Sequence, residues 1–347
     1  MNTPTSFDIK RVKVHLWLLA LLLAGVVIVL IWFRMQLSQD RPMRLVVYAF
    51  STQEEVFTQG IFPAFEQAWE AESGEEIEID GVFGPSGTLS LQITRGAPAD
   101  VAVFSNQRHL DWLKYNKSVR RSTPQVLVAS TALVIVARPG NPAHVAGFAD
   151  LAQPGLRLLH GDPGSSGVGE WSVLAEYGSA FLATHSDEAA KNQLEDIWRN
   201  VRLVGSSARA TLTLFELGAG DALVTYEQDA YLARQRGVPL EIIMPARTIL
   251  ARHYAVIVDE NVTRAERPVV EAFLAFLQSD AGQQIFRQYF SRPAGLASDL
   301  LPELASPFTE EDLGGWTQAY NNLIEDFWKI EIEPALDLDP ADSLLVR

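Results

Sequence analysis

The sequence predicts an α/β protein of two lobes that are joined by two crossover segments and preceded by one transmembrane helix. After residue 43, strand-like apolar runs alternate with runs of helical periodicity, a pattern typical of a parallel sheet covered by helices. Two long extended stretches, residues 125–138 and 239–258, interrupt this alternation and predict the crossovers. A nearly continuous apolar run at residues 14–33 predicts the transmembrane helix.

The apolar run at residues 14–33 is long enough to span a membrane, because about twenty residues of helix cross a hydrocarbon core of roughly 30 Å. Three basic residues shortly before it place residues 1–13 on the cytoplasmic side. A cleaved signal peptide is the alternative, but its apolar region is shorter and ends at small residues. This run ends in Trp32 and Phe33. We therefore expect a single-pass anchor with the rest of the chain outside the cytoplasm.

The remaining sequence divides into a linker, two lobes and a tail. Residues 34–43 are polar and predict the linker. The first lobe is expected to comprise residues 44–124 and 243–326, and the second lobe residues 125–242. Residues 327–347, with their acidic residues and prolines, predict a C-terminal tail.

Strands and helices follow one another within each predicted lobe. In the first lobe, the apolar strand-like runs lie at residues 44–50, 77–83 and 100–104. In the second lobe, strands are predicted at 156–160 and 222–226 and helices at 168–183, 187–199 and 211–217. This order predicts parallel pairing, with the carboxyl ends of the strands on one edge of each sheet.

Composition excludes several classes of function. The net charge of -15 argues against nucleic acid as a partner, because a nucleic-acid binder needs a basic face. The chain has no cysteine, which excludes disulfides, thiolate metal sites and cysteine nucleophiles. The six histidines are scattered without an H-E-x-x-H motif, and no G-x-S-x-G elbow is present. We therefore expect no catalytic residues, no metal and no cofactor, and a protein that is not an enzyme.

Two Ser-Gly turns are the most informative motifs. Ser86 and Gly87 lie in the first lobe, and Ser166 and Gly167 lie in the second; each pair follows a strand-like run and opens a helix-like run. The first N–H groups of a helix have no intrahelical partner and carry the positive end of the helix dipole, so they favour an anion. One such turn per lobe predicts a hinged receptor that closes on a small oxyanion.

Eight short segments in a fixed order carry a resemblance to a known family. They are residues 84–87, 96–101, 138–142, 165–171, 218–227, 249–251, 279–283 and 308–316. With them, residues 44–326 resemble the periplasmic sulfate-binding proteins of ABC importers and, more distantly, the molybdate-binding proteins. The resemblance implies a type II periplasmic-binding fold on the periplasmic or extracellular side of a bacterial cell membrane. It also implies ABC transporter permease subunits as partners.

The resemblance further implies that a tetrahedral oxyanion is bound by neutral donors, namely backbone N–H groups, a serine hydroxyl and an indole. The turns and the resemblance together predict nine ligand-binding residues: Ser51, Thr52, Ser86, Gly87, Ser166, Gly167, Val168, Thr211 and Tyr226. The indole position of the family falls on Tyr226, and an acidic position falls near Ser51. These departures leave oxyanion binding intact and affect which anion is bound.

Two alternatives stay open at this point. Sulfate or thiosulfate is the expected ligand, but Ser51, Thr52 and Ser86 together resemble the hydroxyl-rich pocket of molybdate binders, so molybdate or tungstate is the alternative. The expected role is delivery to an ABC importer, with an anchored sensor that regulates a partner protein as the other reading. The roughly thirteen residues expected in the cytoplasm favour delivery, because they hold no effector domain.

Overall fold

The computed structural model describes residues 22–29, 43–294 and 299–336. The predicted cytoplasmic segment, residues 1–13, lies outside the described residues, as does most of the linker and most of the predicted span at 14–33. Residues 22–29 of that span are helical and exposed. Within the described part of the chain, no helix combines the length and the apolar character needed to cross a membrane.

Eleven strands within the described residues belong to one sheet. They are β1 (Met43–Phe50), β2 (Ile77–Gly84), β3 (Val101–Phe104), β4 (Val126–Ala137), β5 (Leu158–Gly161), β6 (Val201–Gly205), β7 (Ala222–Tyr226), β8 (Glu241–Ile243), β9 (Arg247–Ile257), β10 (Arg292–Pro293) and β11 (Ser306–Phe308). The main order is β2-β1-β3-β9-β4-β7-β5-β6. β1 is parallel to β2 and β3, and β5 is parallel to β6 and β7, so each group presents its carboxyl ends on one edge.

The long strands β4 and β9 join the two lobes. The first part of β4 pairs antiparallel with β9, from Val126 opposite Ala255 to Ala132 opposite Leu250. The second part pairs with β7, beginning at Leu133 opposite Tyr226. One half of the sheet therefore belongs to the first lobe and the other half to the second, and the predicted crossovers coincide with β4 and β9. The predicted two-lobed α/β architecture is confirmed.

Helices cover both halves of the sheet. The longer ones are α1 (Phe62–Ser73), α2 (Ser86–Thr94), α3 (Gln107–Tyr115), α4 (Gly167–Thr184), α5 (Asp187–Trp198), α6 (Ala208–Glu216), α7 (Glu227–Gln235), α8 (Arg267–Gln278) and α9 (Asp280–Gln288). A further short helix, α10 (Trp316–Ala319), continues as a π-helix over Tyr320–Ile332. The helical run that leads into α1 already begins at Ser51, directly after β1. Because strand ends run into helix starts, the helix N-termini gather at the carboxyl edges of the sheet.

The C-terminal region packs on the second lobe, which differs from the predicted lobe limits. Trp316 lies edge-on against Trp171 of α4 at 4.5 Å between ring centroids, and Trp328 lies edge-on against Trp198 of α5 at 5.3 Å. All four rings belong to the core of the second lobe. The tail predicted from residue 327 is also wrong at its start, because Trp328 is buried in this core; residues 337–347 lie outside the described residues. The apolar pattern indicated a buried helix but not the lobe that buries it.

Candidate functional site

A small cleft lies between the lobes. Its lining residues are Phe50, Ser51, Gly84, Pro85, Ser86, Ser105, Ser166, Gly167, Val168, Ser207, Ala208 and Tyr226. Every one of them lies where a strand has ended and the next helix is about to begin or has just begun. The cleft is therefore at the edge of an α/β sheet where ligands bind in such folds.

Four helices start at this cleft. Pro85, Ser166, Ser207 and Tyr226 are the residues that immediately precede α2, α4, α6 and α7, and each has an extended backbone conformation. The N–H groups of the first helical turn have no acceptor within their own helix, and the helix dipole adds positive potential at the same end. Four converging N-termini make the cleft an environment that favours an anion.

The cleft supplies neutral hydrogen-bond donors. Among the lining residues of the described chain, none is an Asp, Glu, Lys, Arg or His, whereas five are serines and one is a tyrosine. Neutral hydroxyls and backbone N–H groups can replace the hydration of an anion without a counter-charge. Within the described residues there is also no group of three or more potential metal-ligating side chains.

Two serines of the first lobe form a hydroxyl pair. The Oγ atoms of Ser86 and Ser105 lie 3.1 Å apart, and the backbone N–H of Ser105 donates to Ser86 Oγ at 3.2 Å. Since Ser86 accepts this N–H bond, its hydroxyl proton is directed away from it and can serve Ser105 or a ligand. Ser86 was predicted; Ser105 was not, because it follows β3 without the glycine that marked the other turns.

The turn of the second lobe is held by Asp162. Its carboxylate accepts the N–H of Gly164 at 2.8 Å and the hydroxyl of Ser165 at 2.6 Å, and its carbonyl accepts the N–H of Ser166 at 2.8 Å. These bonds fix the start of α4, where Ser166, Gly167 and Val168 line the cleft as predicted. The turn therefore presents its backbone to the cleft in a fixed orientation.

The lobes approach each other closely at these turns. The N–H of Gly87 donates across the cleft to the carbonyl of Ser165 at 3.2 Å. A Cβ atom at Gly167 would overlap Ser105 Oγ of the first lobe, so only glycine fits there without displacement. Gly87 was predicted as a ligand-binding residue; in the structure its N–H bonds to Ser165 and joins the two lobes.

Tyr226 lies in the floor of the cleft with 1% of its surface exposed. Its ring lies edge-on to Phe50 at 6.0 Å and to His253 at 5.7 Å. Burial raises the pKa of Tyr226, which keeps its hydroxyl protonated and able to donate. Within the described residues Tyr226 Oη makes no hydrogen bond of ordinary geometry, although the side chain of Ser105 is close enough to act on its pKa. A ligand in the cleft could complete the hydrogen bonding of this buried hydroxyl.

Three predicted residues are not among those that line the cleft: Gly87, described above, and Thr52 and Thr211. The hydroxyl of Thr52 is buried and donates to Asp229 Oδ2 at 2.7 Å. Thr211 is in the second turn of α6: its N–H and its hydroxyl both donate to the carbonyl of Ser207, at 2.9 and 2.8 Å. The Thr211 prediction is therefore wrong, because α6 begins at Ala208 and not at residue 211. Ser207 and Ala208, at the actual start of α6, line the cleft where Thr211 was expected. Ser51, which was also predicted, is a lining residue.

Comparisons with known proteins agree with this geometry. The chain is 29% identical over 294 residues to a sulfate-binding protein of Salmonella typhimurium, which covers 80% of this chain and 89% of that protein. It is 29% identical over 260 residues to a thiosulfate-binding protein of Pseudomonas aeruginosa, covering 72% and 78%. Its fold matches the sulfate-binding protein SubI of Mycobacterium tuberculosis with a TM-score of 0.75 and 24% identity, over 81% of this chain and 99% of that one.

A family model also matches most of the molecule. Residues 45–292, which include both lobes and every residue that lines the cleft, match the model described as bacterial extracellular solute-binding protein. A match of this length covers the sheet order and the helix starts that build the cleft. The chain thus belongs to the bacterial extracellular solute-binding protein family.

Proposed function

We propose that this protein captures a tetrahedral oxyanion, sulfate or thiosulfate, and delivers it to the permease subunits of an ABC importer. The observation that carries the proposal is the cleft itself, where four helix N-termini and six hydroxyl-bearing side chains converge. A small dianion loses strong hydration on entry, and this many oriented donors can replace it. Membership of a solute-binding protein family supports a binding role for the cleft.

The choice of anion is supported by the relatives. The Salmonella and Pseudomonas proteins are named for sulfate and thiosulfate, and each shares 29% of its aligned residues with this chain. The phenol of Tyr226 and the pair of Ser86 and Ser105 give this cleft more hydroxyl donors than the resemblance implied. That difference keeps molybdate and tungstate as the alternative ligands.

We further propose that residues 14–33 anchor the protein as a single transmembrane helix, with the lobes on the periplasmic or extracellular side. The apolar run is the observation behind this proposal, and membership of an extracellular family agrees with the orientation. Tethering keeps a receptor at a high effective concentration beside a membrane transporter. Fractionation of cells that produce the full chain tests this: retention in the membrane after a carbonate wash supports the anchor, and release contradicts it.

Thermal unfolding of the detergent-solubilised full chain tests the ligand. Its eight tryptophans report unfolding by intrinsic fluorescence. A ligand at a hundred times its Kd stabilises the folded state by about 2.7 kcal/mol, so sulfate or thiosulfate is expected to raise the Tm clearly, while chloride at equal ionic strength does not. A rise only with molybdate or tungstate would select the alternative ligand. No rise with any of the four anions at millimolar concentration would overturn the proposal.

A further inference from the structure

Glu170 is a buried carboxylate that takes its charged and polar partners from the opposite lobe. It lies in the first turn of α4, two residues after Val168 of the cleft, and its side chain is 3% exposed. Glu170 Oε2 accepts the side-chain amide of Asn106 at 2.6 Å, and Oε1 accepts Arg108 Nη1 at 3.0 Å. His109 Nε2 is 3.6 Å from the same Oε1.

These partners are fixed to the first-lobe side of the cleft. Asn106 precedes α3, and its Oδ1 accepts the N–H of His109 at 3.3 Å, so its amide group can point only towards Glu170. The preceding residue is Ser105, a lining residue whose carbonyl accepts the indole N–H of Trp171 at 2.9 Å. Ser105 and Asn106 of the first lobe are therefore hydrogen-bonded to Trp171 and Glu170 of the second lobe.

Arg108 is held by the second lobe on two sides. Besides its bond to Glu170, its guanidinium lies over the ring of Tyr320 at 3.3 Å from the centroid. Tyr320 belongs to the C-terminal π-helix, which packs in the core of the second lobe. A cation over an aromatic face is stabilised further where water is excluded.

These contacts are satisfied only while the lobes are together. A buried carboxyl group without partners is strongly disfavoured, and the hydrogen bonds from Asn106 and Arg108 offset part of that cost. We propose that Glu170, Asn106 and Arg108 form an interlobe latch that holds the lobes closed and so sets the affinity and dissociation rate of the bound anion. The latch rests on the proposed function, and Glu170 acts in it as a positioning residue, since it does not line the cleft.

The latch acts through the equilibrium between open and closed lobes. The apparent Kd of a ligand that needs the closed form is its intrinsic Kd divided by the closed fraction. A substitution that weakens closure therefore raises the apparent Kd without touching the anion, and most of the change falls on the dissociation rate.

Substitutions in the full chain test the latch by sulfate and thiosulfate titration. Glu170→Ala is expected to raise the Kd about tenfold or more, the range for a lost hydrogen bond to a charged group. Asn106→Ala and Arg108→Ala should also raise the Kd. Each of them should raise the Kd by a smaller factor in the Glu170→Ala chain than in the wild type. The matched control is Glu176→Gln, a buried carboxylate on the same helix that accepts Trp198 Nε1 at 3.0 Å within the second lobe. It should lower the Tm and leave the Kd within twofold.

A measurement of interlobe distance separates failure of the latch from failure of the proposed function. The chain has no native cysteine, so spin labels can be attached at Tyr115→Cys and Leu217→Cys, which are exposed on opposite lobes. With sulfate or thiosulfate present, Glu170→Ala should show a larger long-distance population than the unsubstituted double-cysteine chain. If no anion binds, the proposed function fails, and a longer distance in the anion-free Glu170→Ala chain still supports the latch. Equal distance distributions together with no change in Kd would overturn it.

Discussion

The two lobes meet the cleft with different chemistry. The first lobe contributes side-chain hydroxyls at the ends of three neighbouring strands, from Ser51, Ser86 and Ser105. The second contributes the hydroxyl-bearing residues Ser166, Ser207 and Tyr226, and it adds the backbone at the start of α4 around Gly167, which Asp162 holds in place. Hydroxyls rotate and can donate or accept, whereas helix N–H groups only donate and have a fixed direction. We call the three hydroxyls of the first lobe the adjustable half of the site, and the start of α4 in the second lobe the rigid half.

The largest expected effect comes from adding a side chain to the rigid half. In Gly167→Ala, the new Cβ would overlap Ser105 Oγ and keep the lobes from closing. Overpacking costs about 1–3 kcal/mol or more, so anion affinity should fall by about a hundredfold in calorimetric titration. Gly147→Ala is the control, because a Cβ there meets nothing within 4 Å. Adding Ser105→Gly to Gly167→Ala should restore part of the affinity, and a lack of any recovery would argue against the clash.

Removing a hydroxyl from the adjustable half should have the next largest effect. Ser86→Ala removes a donor to the anion and is expected to weaken binding by about ten- to a hundredfold, since a hydrogen bond to a charged group contributes about 1.5–3 kcal/mol. Ser90→Ala is the matched control: it lies one turn later in α2, and its buried hydroxyl donates to the carbonyl of His109 at 3.1 Å. That control should lower the Tm and leave affinity nearly unchanged. Equal affinities for both variants would show that Ser86 does not reach the ligand.

The pH dependence of sulfate binding is expected to come from Glu170, which lies in the first turn of α4 and therefore belongs to the rigid half. Burial raises the pKa of Glu170 from 4.5 to about 7 in the closed arrangement, against the lowering influence of Arg108, Asn106 and Lys329, while Asp162 raises it further. The pKa of the facing His109 is lowered to about 3 by burial, so that ring stays neutral in this range.

The sign of the effect follows from these values. The carboxyl group of Glu170 binds its proton more tightly in the closed form than in an open form where it is exposed to solvent. The closed form is therefore favoured at low pH, and it loses this advantage as the pH rises from about 5 to 7. Sulfate affinity should fall as the pH rises from about 5 through 7, and it should level off once the pH is well above the pKa of the closed form. Glu170→Gln should remove the slope, and a slope that persists in that variant would assign it to another group.

Tyr226→Phe is expected to have the smallest effect on affinity and an opposite effect on stability. The buried hydroxyl makes no hydrogen bond of ordinary geometry among the described residues, so its removal should keep or raise the Tm of the anion-free protein, because an unsatisfied buried group costs about 1–3 kcal/mol. Sulfate affinity should fall by several-fold, measured by the same titration. An unchanged affinity with a raised Tm would mean that the hydroxyl does not touch the anion.

Three of the lining residues that sequence reasoning located carry two local signals. Ser86, Ser166 and Gly167 combine a strand end with a Ser-Gly turn, and both signals depend only on neighbouring residues. Thr211 was wrong by one helical turn, because Ser207 caps α6 by accepting the N–H of Ala210 at 3.1 Å, without a following glycine to mark the start.

The features that the sequence did not predict depend on contacts between distant segments. Ser105 joins the cleft because β3 lies beside β1, and this adjacency depends on the whole sheet. The C-terminal helix reached the second lobe for the same kind of reason: the rings of Trp316 and Trp328 required burial, but their partners Trp171 and Trp198 lie far away in the chain. Local patterns indicate which residues are buried, and only tertiary packing selects their neighbours.

Strands β4 and β9, which both lobes share, also affect the order in which the two lobes fold. In the sheet, β9 lies between β3 and β4, yet the ribosome makes it after β5, β6, β7 and β8. The strands of the second lobe can pair as soon as they emerge, whereas β1 to β3 must wait for β9 to join them to the rest of the sheet. Until then the first lobe exposes the apolar edge of β3, a surface open to wrong pairing. The strands that join the two lobes thus make the N-terminal lobe the later one to complete its fold.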